Sequence, residues 1–90
     1  MTERSLQVTY RKGQAFAAYL HLSHQTGARS AETKASADGL LVVDYDSSGR
    51  PVGIEITAPG SVSLERLNRL LVELGEVPLA ERDYGPVIAA

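Results

Sequence analysis

Acidic and hydroxyl side chains follow the spacing of a calcium-binding loop. The residues at positions 1, 3, 5, 6 and 12 of a D-x-D-x-S-G-x5-E string are Asp44, Asp46, Ser48, Gly49 and Glu55. In an EF-hand such a string lies between two helices, and its oxygen atoms surround the ion. Here apolar, β-branched residues flank the string, so it predicts a hairpin turn, with a cation site at Asp44 and Asp46 as the minor alternative. Glu55 lies too far along the second strand to reach that ion and is predicted to pair with Arg50 or Lys34 across the sheet.

Two further groupings contain reactive side chains. His21 and His24 are the only histidines, and on a strand residues three apart face opposite sides, so both reach one metal only if the chain bends. His21 is instead predicted to lie beside Tyr19 on one sheet face. Ser23, His24 and Asp44 supply the residue types of a nucleophilic triad, but no nucleophile elbow or oxyanion-hole motif accompanies them. The sequence therefore predicts no catalytic residue, no cofactor and no metal site.

Alternating and β-branched segments predict the sheet that positions these side chains. They are 6–10, 15–22, 40–45 and 52–57, with a weaker, exposed strand near 30–35. Polar, glycine-containing breaks at 11–14, 38–39 and 46–51 separate the strands. Gly53 interrupts the last strand, which predicts the close approach of a bulky neighbour, Tyr19 or Tyr45.

One helix follows the break at Pro59-Gly60. Ser61 or Ser63 is suited to cap it, and Gly75 is suited to end it in the left-handed conformation. Its leucines, which recur at spacings of three and four, form one apolar stripe. The sequence thus predicts an α+β fold, an antiparallel meander of four to five strands followed by one C-terminal amphipathic helix packed on one sheet face. The predicted domain is 1–75, with 76–90 as an extended C-terminal arm or disordered tail.

Composition excludes several classes of protein. The chain has 90 residues, of which 43% are hydrophobic and 22% charged, as expected for one small globular domain. The absence of cysteine rules out disulfides, thiolate catalysis and Cys-based metal sites in this chain. No segment has the length of a membrane span or the pattern of a secretory signal, so a cytoplasmic location is predicted. The net charge of −2, with scattered basic residues, makes nucleic acid an improbable partner.

The segment 38–56 resembles a motif of a small bacterial family of unknown function. The family motif is D-G-V-I-V-D-Y-D-x-x-G-x-V-V-G-I-E-I, and this chain reads DGLLVVDYDSSGRPVGIEI. A second family motif, Y-D-x-E-A-D-A-L-Y-I-x-L, matches at Tyr10 and at 17–22, but Arg11-Lys12-Gly13-Gln14 replaces its acidic loop. The resemblance implies a β-meander followed by a helix over about 6–79. Some relatives look like the antitoxin halves of toxin–antitoxin pairs, which implies a second small protein, such as a toxin, as partner.

Both faces of the central strand are apolar. Leu40 and Val42 lie on one face, and Leu41, Val43 and Tyr45 lie on the other. Because one short helix covers only one face, the second face is predicted to be covered by the C-terminal segment, by a second copy of the chain or by a different protein. A homodimer to which the C-terminal segment contributes is favoured. The predicted interface residues are Ala17, Tyr19, Leu41, Val43, Tyr45, Leu79, Tyr84, Val87 and Ile88.

Three classes of function remain open on these observations. The favoured one is a noncatalytic protein-interaction module, antitoxin-like and homodimeric. The second is a protein that binds a small ligand or a cation, or a minor hydrolase, using Asp44, Asp46 and Glu55 with His21. The third is nucleic-acid binding through Arg66 and Arg69, which requires dimerisation to build a basic surface.

Overall fold

Five strands and two helices make up the described part of the chain. The computed structural model describes residues 4–22 and 31–88, with only the backbone described for 86–88. The elements are β1 (Ser5–Arg11), β2 (Gln14–His21), β3 (Glu32–Ala35), β4 (Leu41–Tyr45), β5 (Pro51–Ile56), a single 3-10 turn (Pro59–Ser61), α1 (Leu64–Glu73) and α2 (Glu81–Ile88). Neither helix is long and apolar enough to cross a membrane.

The strands form one antiparallel sheet in the order β1-β2-β5-β4-β3. β1 and β2 form one hairpin, β4 and β5 form a second, and the pairing of β2 with β5 joins the two hairpins. β3 pairs with β4 and lies at the edge opposite β1. The α+β class, with its antiparallel sheet and amphipathic helix, is confirmed, although α1 is not the last element of the chain.

Local sequence signals explain where the elements turn and stop. Lys12 and Gly13 both have positive φ angles, 53° and 80°, as a two-residue turn between twisted strands requires. The Ser63 side chain accepts a hydrogen bond from the Arg66 N–H at 3.1 Å and so caps the start of α1. Gly75 ends the helix with φ 79°, while the Glu76 N–H donates to the Leu71 carbonyl at 2.8 Å. The predicted N-cap and C-terminal glycine of α1 are therefore confirmed.

The apolar core lies between one face of the sheet and α1. The strands contribute Ala18, Leu20, Leu41, Val43, Ile54 and Ile56, and the rest of the chain contributes Leu22, Val62, Leu67, Leu71, Leu79 and Tyr84. All of these side chains are buried. The inclusion of Leu79 and Tyr84 means that the chain beyond α1 belongs to the same core.

The segment after Gly75 differs from the extended arm or disordered tail that the sequence predicts. Asn68 on α1 holds it at Leu79, since its side chain donates to the Leu79 carbonyl at 3.0 Å and accepts from the Leu79 N–H at 2.7 Å. The Arg4 guanidinium donates to the carbonyls of Val77 and Pro78. The segment then forms α2, and the Tyr84 hydroxyl donates to the Val62 carbonyl at 2.8 Å. The sheet, α1 and the segment through Tyr84 therefore form one folded unit.

The predicted matching of faces between strands is also corrected. Ala18 and Leu20 lie opposite Ile56 and Ile54, which in turn lie opposite Leu41 and Val43. The core face of β4 is therefore the one that carries Leu41 and Val43, and Ala17 and Tyr19 lie on the other side of the sheet. The alternation of side chains within each strand is as predicted. The register between paired strands decides which face of one strand lies beside which face of the next, and a shift of one residue exchanges the two faces.

Candidate functional site on the open sheet face

The sheet face opposite α1, which we call the open sheet face, is built from two rows of side chains that cross all five strands. The first row is Gln7, Tyr19, Glu55, Val42 and Ala35, and the second is Ser5, His21, Gly53, Asp44 and Thr33. Each row lies opposite the core because side chains alternate along a strand. Side chains from β1, β2, β4 and β5 that are distant in sequence thus meet on one surface.

Tyr19 lies across the middle of this face. Its ring covers Gly53, and its hydroxyl donates to the Oδ2 atom of Asp44 at 2.6 Å. A side chain at Gly53 would overlap the Tyr19 ring, so the glycine makes this path available. The predicted close approach at Gly53 is therefore confirmed, with Tyr19 as the neighbour, and the hydrogen bond fixes the orientation of the Asp44 carboxylate.

His21 and Gln7 extend the arrangement toward the β1 edge. The rings of Tyr19 and His21 lie 4.6 Å apart between centroids and are tilted by 56°. His21 Nε2 lies 2.7 Å from Gln7 Oε1, a hydrogen bond in which the ring N–H donates to the amide oxygen. The predicted position of His21 beside Tyr19 is confirmed. Gln7 was not predicted, because its contact with His21 depends on the register between β1 and β2.

The chemistry of Tyr19 follows from its surroundings. Partial burial, the hydrogen bond to Asp44 and the negative charges of Asp44 and Glu55 hold the pKa of the Tyr19 phenol well above its usual range. Near neutral pH the phenol is therefore a protonated hydrogen-bond donor and not a nucleophile or a base. The network Gln7–His21–Tyr19–Asp44 orders side chains on the surface and leaves the Glu55 carboxylate exposed beside them.

The predicted hairpin at the calcium-like string is confirmed. β4 and β5 flank it, and the Asp46 Oδ1 atom accepts hydrogen bonds from the N–H of Ser48 at 2.9 Å, the hydroxyl of Ser48 at 2.6 Å and the N–H of Arg50 at 2.9 Å. These bonds lower the pKa of Asp46 and direct its carboxylate into the turn, whereas Asp44 and Glu55 lie on the open sheet face. Within residues 4–22 and 31–88, no three acidic or histidine side chains converge on one point.

Most of the other residues predicted for a site lie away from the open sheet face or outside the described residues. Lys34 lies opposite Val43 on the α1 side of the sheet, so it cannot pair with Glu55. Ser23 and His24 lie outside the described residues, as do the side chains of Val87 and Ile88. Of the predicted interface residues, Ala17 and Tyr19 lie on the open sheet face. Leu41, Val43, Leu79 and Tyr84 are buried in the core and are therefore not part of an exposed interface.

Tyr45 has a separate position, on the α1 side of the sheet. It lines an open groove of about 340 Å³ between α1 and the strands β3 and β4. The Lys34 ammonium lies 5.5 Å from the centroid of the Tyr45 ring. Tyr45 therefore cannot form one surface with Ala17 and Tyr19.

The two arginines considered for nucleic-acid binding each have an acidic neighbour. Arg66 forms two bonds to the Asp38 carboxylate, at 2.7 and 2.9 Å, and Arg69 lies 3.1 Å from Glu65. The Arg66 guanidinium lowers the pKa of Asp38, so Asp38 remains ionised. The positive charges of both arginines are thus offset locally, which weakens the case for a basic surface on α1.

A pH dependence of stability follows from the tyrosines. Burial also raises the pKa of Tyr84, as it does for Tyr19, whereas in the unfolded chain a tyrosine titrates near ~10. The folded state keeps both protons where the unfolded state loses them. The corresponding stability is therefore complete below about pH 10 and is lost as the pH rises above it.

Urea unfolding between pH 8 and pH 11 tests this expectation. Tyr19→Phe and Tyr84→Phe should each reduce the alkaline loss of stability relative to the wild type, since neither variant has the proton in question. Each variant differs from the wild type at one tyrosine alone, so the comparison isolates the contribution of that residue. If the free energy of unfolding fell equally with pH in the wild type and in both variants, the two tyrosines would not be the source of the alkaline loss of stability.

Comparison with protein-family models, with curated proteins and with solved structures gives no match to this chain. The resemblance to the bacterial family therefore stays a prediction.

Proposed function

We propose that the chain is a noncatalytic, cytoplasmic protein-interaction module that acts as a homodimer and binds a second small protein, as antitoxins do. Its binding surface is the open sheet face. The observation that carries the proposal is a set of four ordered side chains on a sheet face that no described part of the chain covers: the hydrogen bonds Gln7–His21 and Tyr19–Asp44, joined by the contact between the rings of His21 and Tyr19. Side chains that are already ordered lose little conformational freedom when a partner binds.

The charge of the open sheet face defines the kind of partner. Its two rows contain the carboxylates of Asp44 and Glu55 and no lysine or arginine. Ala17 and Val42 add partly exposed apolar surface. The partner is therefore a protein with a basic patch around a small apolar centre, since complementary potentials favour association and suppress wrong partners.

The state of the acidic and phenolic side chains within residues 4–22 and 31–85 supports a noncatalytic role. The Tyr19 hydroxyl keeps its proton near neutral pH and donates it in a hydrogen bond to the Asp44 carboxylate. The Asp46 carboxylate accepts hydrogen bonds within its own hairpin turn. The side-chain carboxylate of Glu55 is exposed, and it forms no hydrogen bond or ion pair with another side chain in the part of the chain that the structure describes. An isolated surface carboxylate of this kind is suited to pair with a cation of a partner protein.

A pair of matched valine variants tests the binding surface. Val42 lies opposite Glu55 on the open sheet face, and Val72 lies on α1 and is 61% exposed. Val42→Arg should fold normally, because the new side chain faces Glu55 across the strands. It places a positive charge against the basic partner and should weaken binding about 100-fold, equivalent to about 2.7 kcal/mol. Val72→Arg should leave binding unchanged.

The measurement has two steps. Wild type and both variants are immobilised and exposed to lysate of the producing cells, and a protein retained by wild type and Val72→Arg, but not by Val42→Arg, is purified. Titration calorimetry of that protein against all three chains then gives Kd at low and high salt, with weaker binding expected at high salt. Equal affinities for wild type and Val42→Arg, or no protein retained by the wild type, would refute the open sheet face as the binding surface.

A further inference from the structure

The outer edge of β3 is open to pairing. β3 is the last strand of the sheet, its four residues are exposed, and no other described strand lies beside it. The Ser36 N–H donates to the Leu41 carbonyl at 2.8 Å. Because successive residues of a strand direct their backbone groups to alternate sides, the N–H and C=O groups of Thr33 and Ala35 are directed away from β4. Such an edge is a template for another strand.

The sequence of β3 is self-complementary in charge. Glu32 and Lys34 lie on the α1 side of the sheet, opposite Tyr45 and Val43, with Thr33 between them on the open sheet face. If two copies of the strand pair antiparallel about Thr33, Glu32 of each copy lies opposite Lys34 of the other. Opposite charges directly across two strands stabilise the pair, and any other alignment loses that match.

The other edge of the sheet has no such match. β1 carries a single charged residue, Arg11, and its pairing with β2 is irregular between Thr9 and Tyr10. An irregularity of this kind twists a strand and hinders its addition to a neighbour. A second copy of the chain is therefore favoured at β3 and not at β1.

We propose that two copies of the chain associate through β3, antiparallel and centred on Thr33, to form a continuous ten-stranded sheet. The inference rests on the homodimer in the proposed function and names its surface. The two-fold axis runs perpendicular to the sheet, so both open sheet faces lie on the same side and offer two adjacent binding surfaces. Since a four-residue edge buries little area, we expect a dissociation constant on the order of 10–100 µM.

Charge reversal at β3 tests the proposal. Glu32→Lys and Lys34→Glu each place like charges opposite one another in both cross-strand pairs, and each should weaken the dimer tenfold or more. An equimolar mixture of the two variants should form a heterodimer of nearly wild-type stability, because one strand is then all positive and the other all negative. Sedimentation velocity over a wide concentration range measures all four samples. Restoration by mixing also shows that each variant is folded.

A cross-link tests the register. The chain contains no cysteine, and the two copies of Thr33 face each other at a separation that a disulfide can span. Thr33→Cys should therefore give a covalent dimer on mild oxidation, while Thr9→Cys on β1 should not.

The outcomes separate the two proposals. A wild type that remains monomeric at all concentrations would overturn both this inference and the homodimer. A dimer that is insensitive to both reversals, or a mixture that forms no heterodimer, would overturn β3 as its surface and leave the homodimer standing. Binding of the second protein is measured separately, with the Val42→Arg variant. A negative result in that experiment would therefore overturn the proposed binding surface without bearing on the dimer.

Discussion

Replacement of Tyr84 by alanine is expected to lower the free energy of unfolding by about 3–5 kcal/mol. The side chain is fully buried, and its hydroxyl donates to the Val62 carbonyl at 2.8 Å. Alanine removes the ring from the core and leaves that carbonyl without its partner. For a 90-residue domain with a total stability of roughly 5–13 kcal/mol, such a loss is a large fraction.

Two other variants define the origin of the effect. Tyr84→Phe keeps the ring and should cost about 1–3 kcal/mol, the penalty for an unsatisfied buried carbonyl. Val77→Ala changes a residue of the same segment that is 70% exposed and should stay within about 0.5 kcal/mol of the wild type. Urea unfolding followed by circular dichroism measures all three. If Tyr84→Ala had no larger effect than Val77→Ala, the segment after Gly75 would not be part of the folded unit.

The sequence is sufficient to predict the elements whose signals are local. The alternation of 40–45 and 52–57, the Ser63 cap and Gly75 each act within a few residues, and each has its predicted role in the structure. α2 has conflicting local signals, since Glu81 and Asp83 suit the first turn of a helix whereas Gly85 and Pro86 both disfavour one. The helix begins where Asp83 accepts the Ala80 N–H at 3.2 Å, and the burial of Tyr84 in the core holds it against the sheet.

In the candidate site, too, the features with a local sequence signal are predictable and those that depend on contacts between strands are not. Gly53 indicated a close neighbour because a glycine within a strand marks such contacts. The contacts of Tyr19 with Asp44 and of His21 with Gln7 depend on the register of three strand pairs, β1–β2, β2–β5 and β4–β5, which no single segment specifies. The prediction that Leu41 and Val43 share a face with Tyr19 is wrong for the same reason, because the register between β2, β5 and β4 places them in the core.

The second large effect is expected at Gly53. A Cβ atom there would overlap the Oη, Cζ and Cε1 atoms of Tyr19, so Gly53→Ala must displace the ring. The displaced ring loses its hydrogen bond to Asp44, and we expect a destabilisation of about 1–3 kcal/mol. Gly53 does not lie in the left-handed region, so backbone strain does not contribute. Gly60→Ala, where the new methyl group meets open space, is the matched control and should change stability by less than ~0.5 kcal/mol.

A double-mutant cycle separates the clash from any other role of the glycine. In a Tyr19→Ala background there is no ring to displace, so Gly53→Ala should be neutral or should stabilise by up to about 1 kcal/mol through the unfolded state. The coupling energy between the two positions should therefore be about 1–3 kcal/mol, well above the additivity error of about 0.5 kcal/mol. Additive costs would mean that Gly53 is needed for its backbone and not for the path of Tyr19. In that case the hydrogen bond between Tyr19 and Asp44 would not depend on the absence of a side chain at Gly53, and the position of the Tyr19 ring would be set by its other neighbours in the sheet.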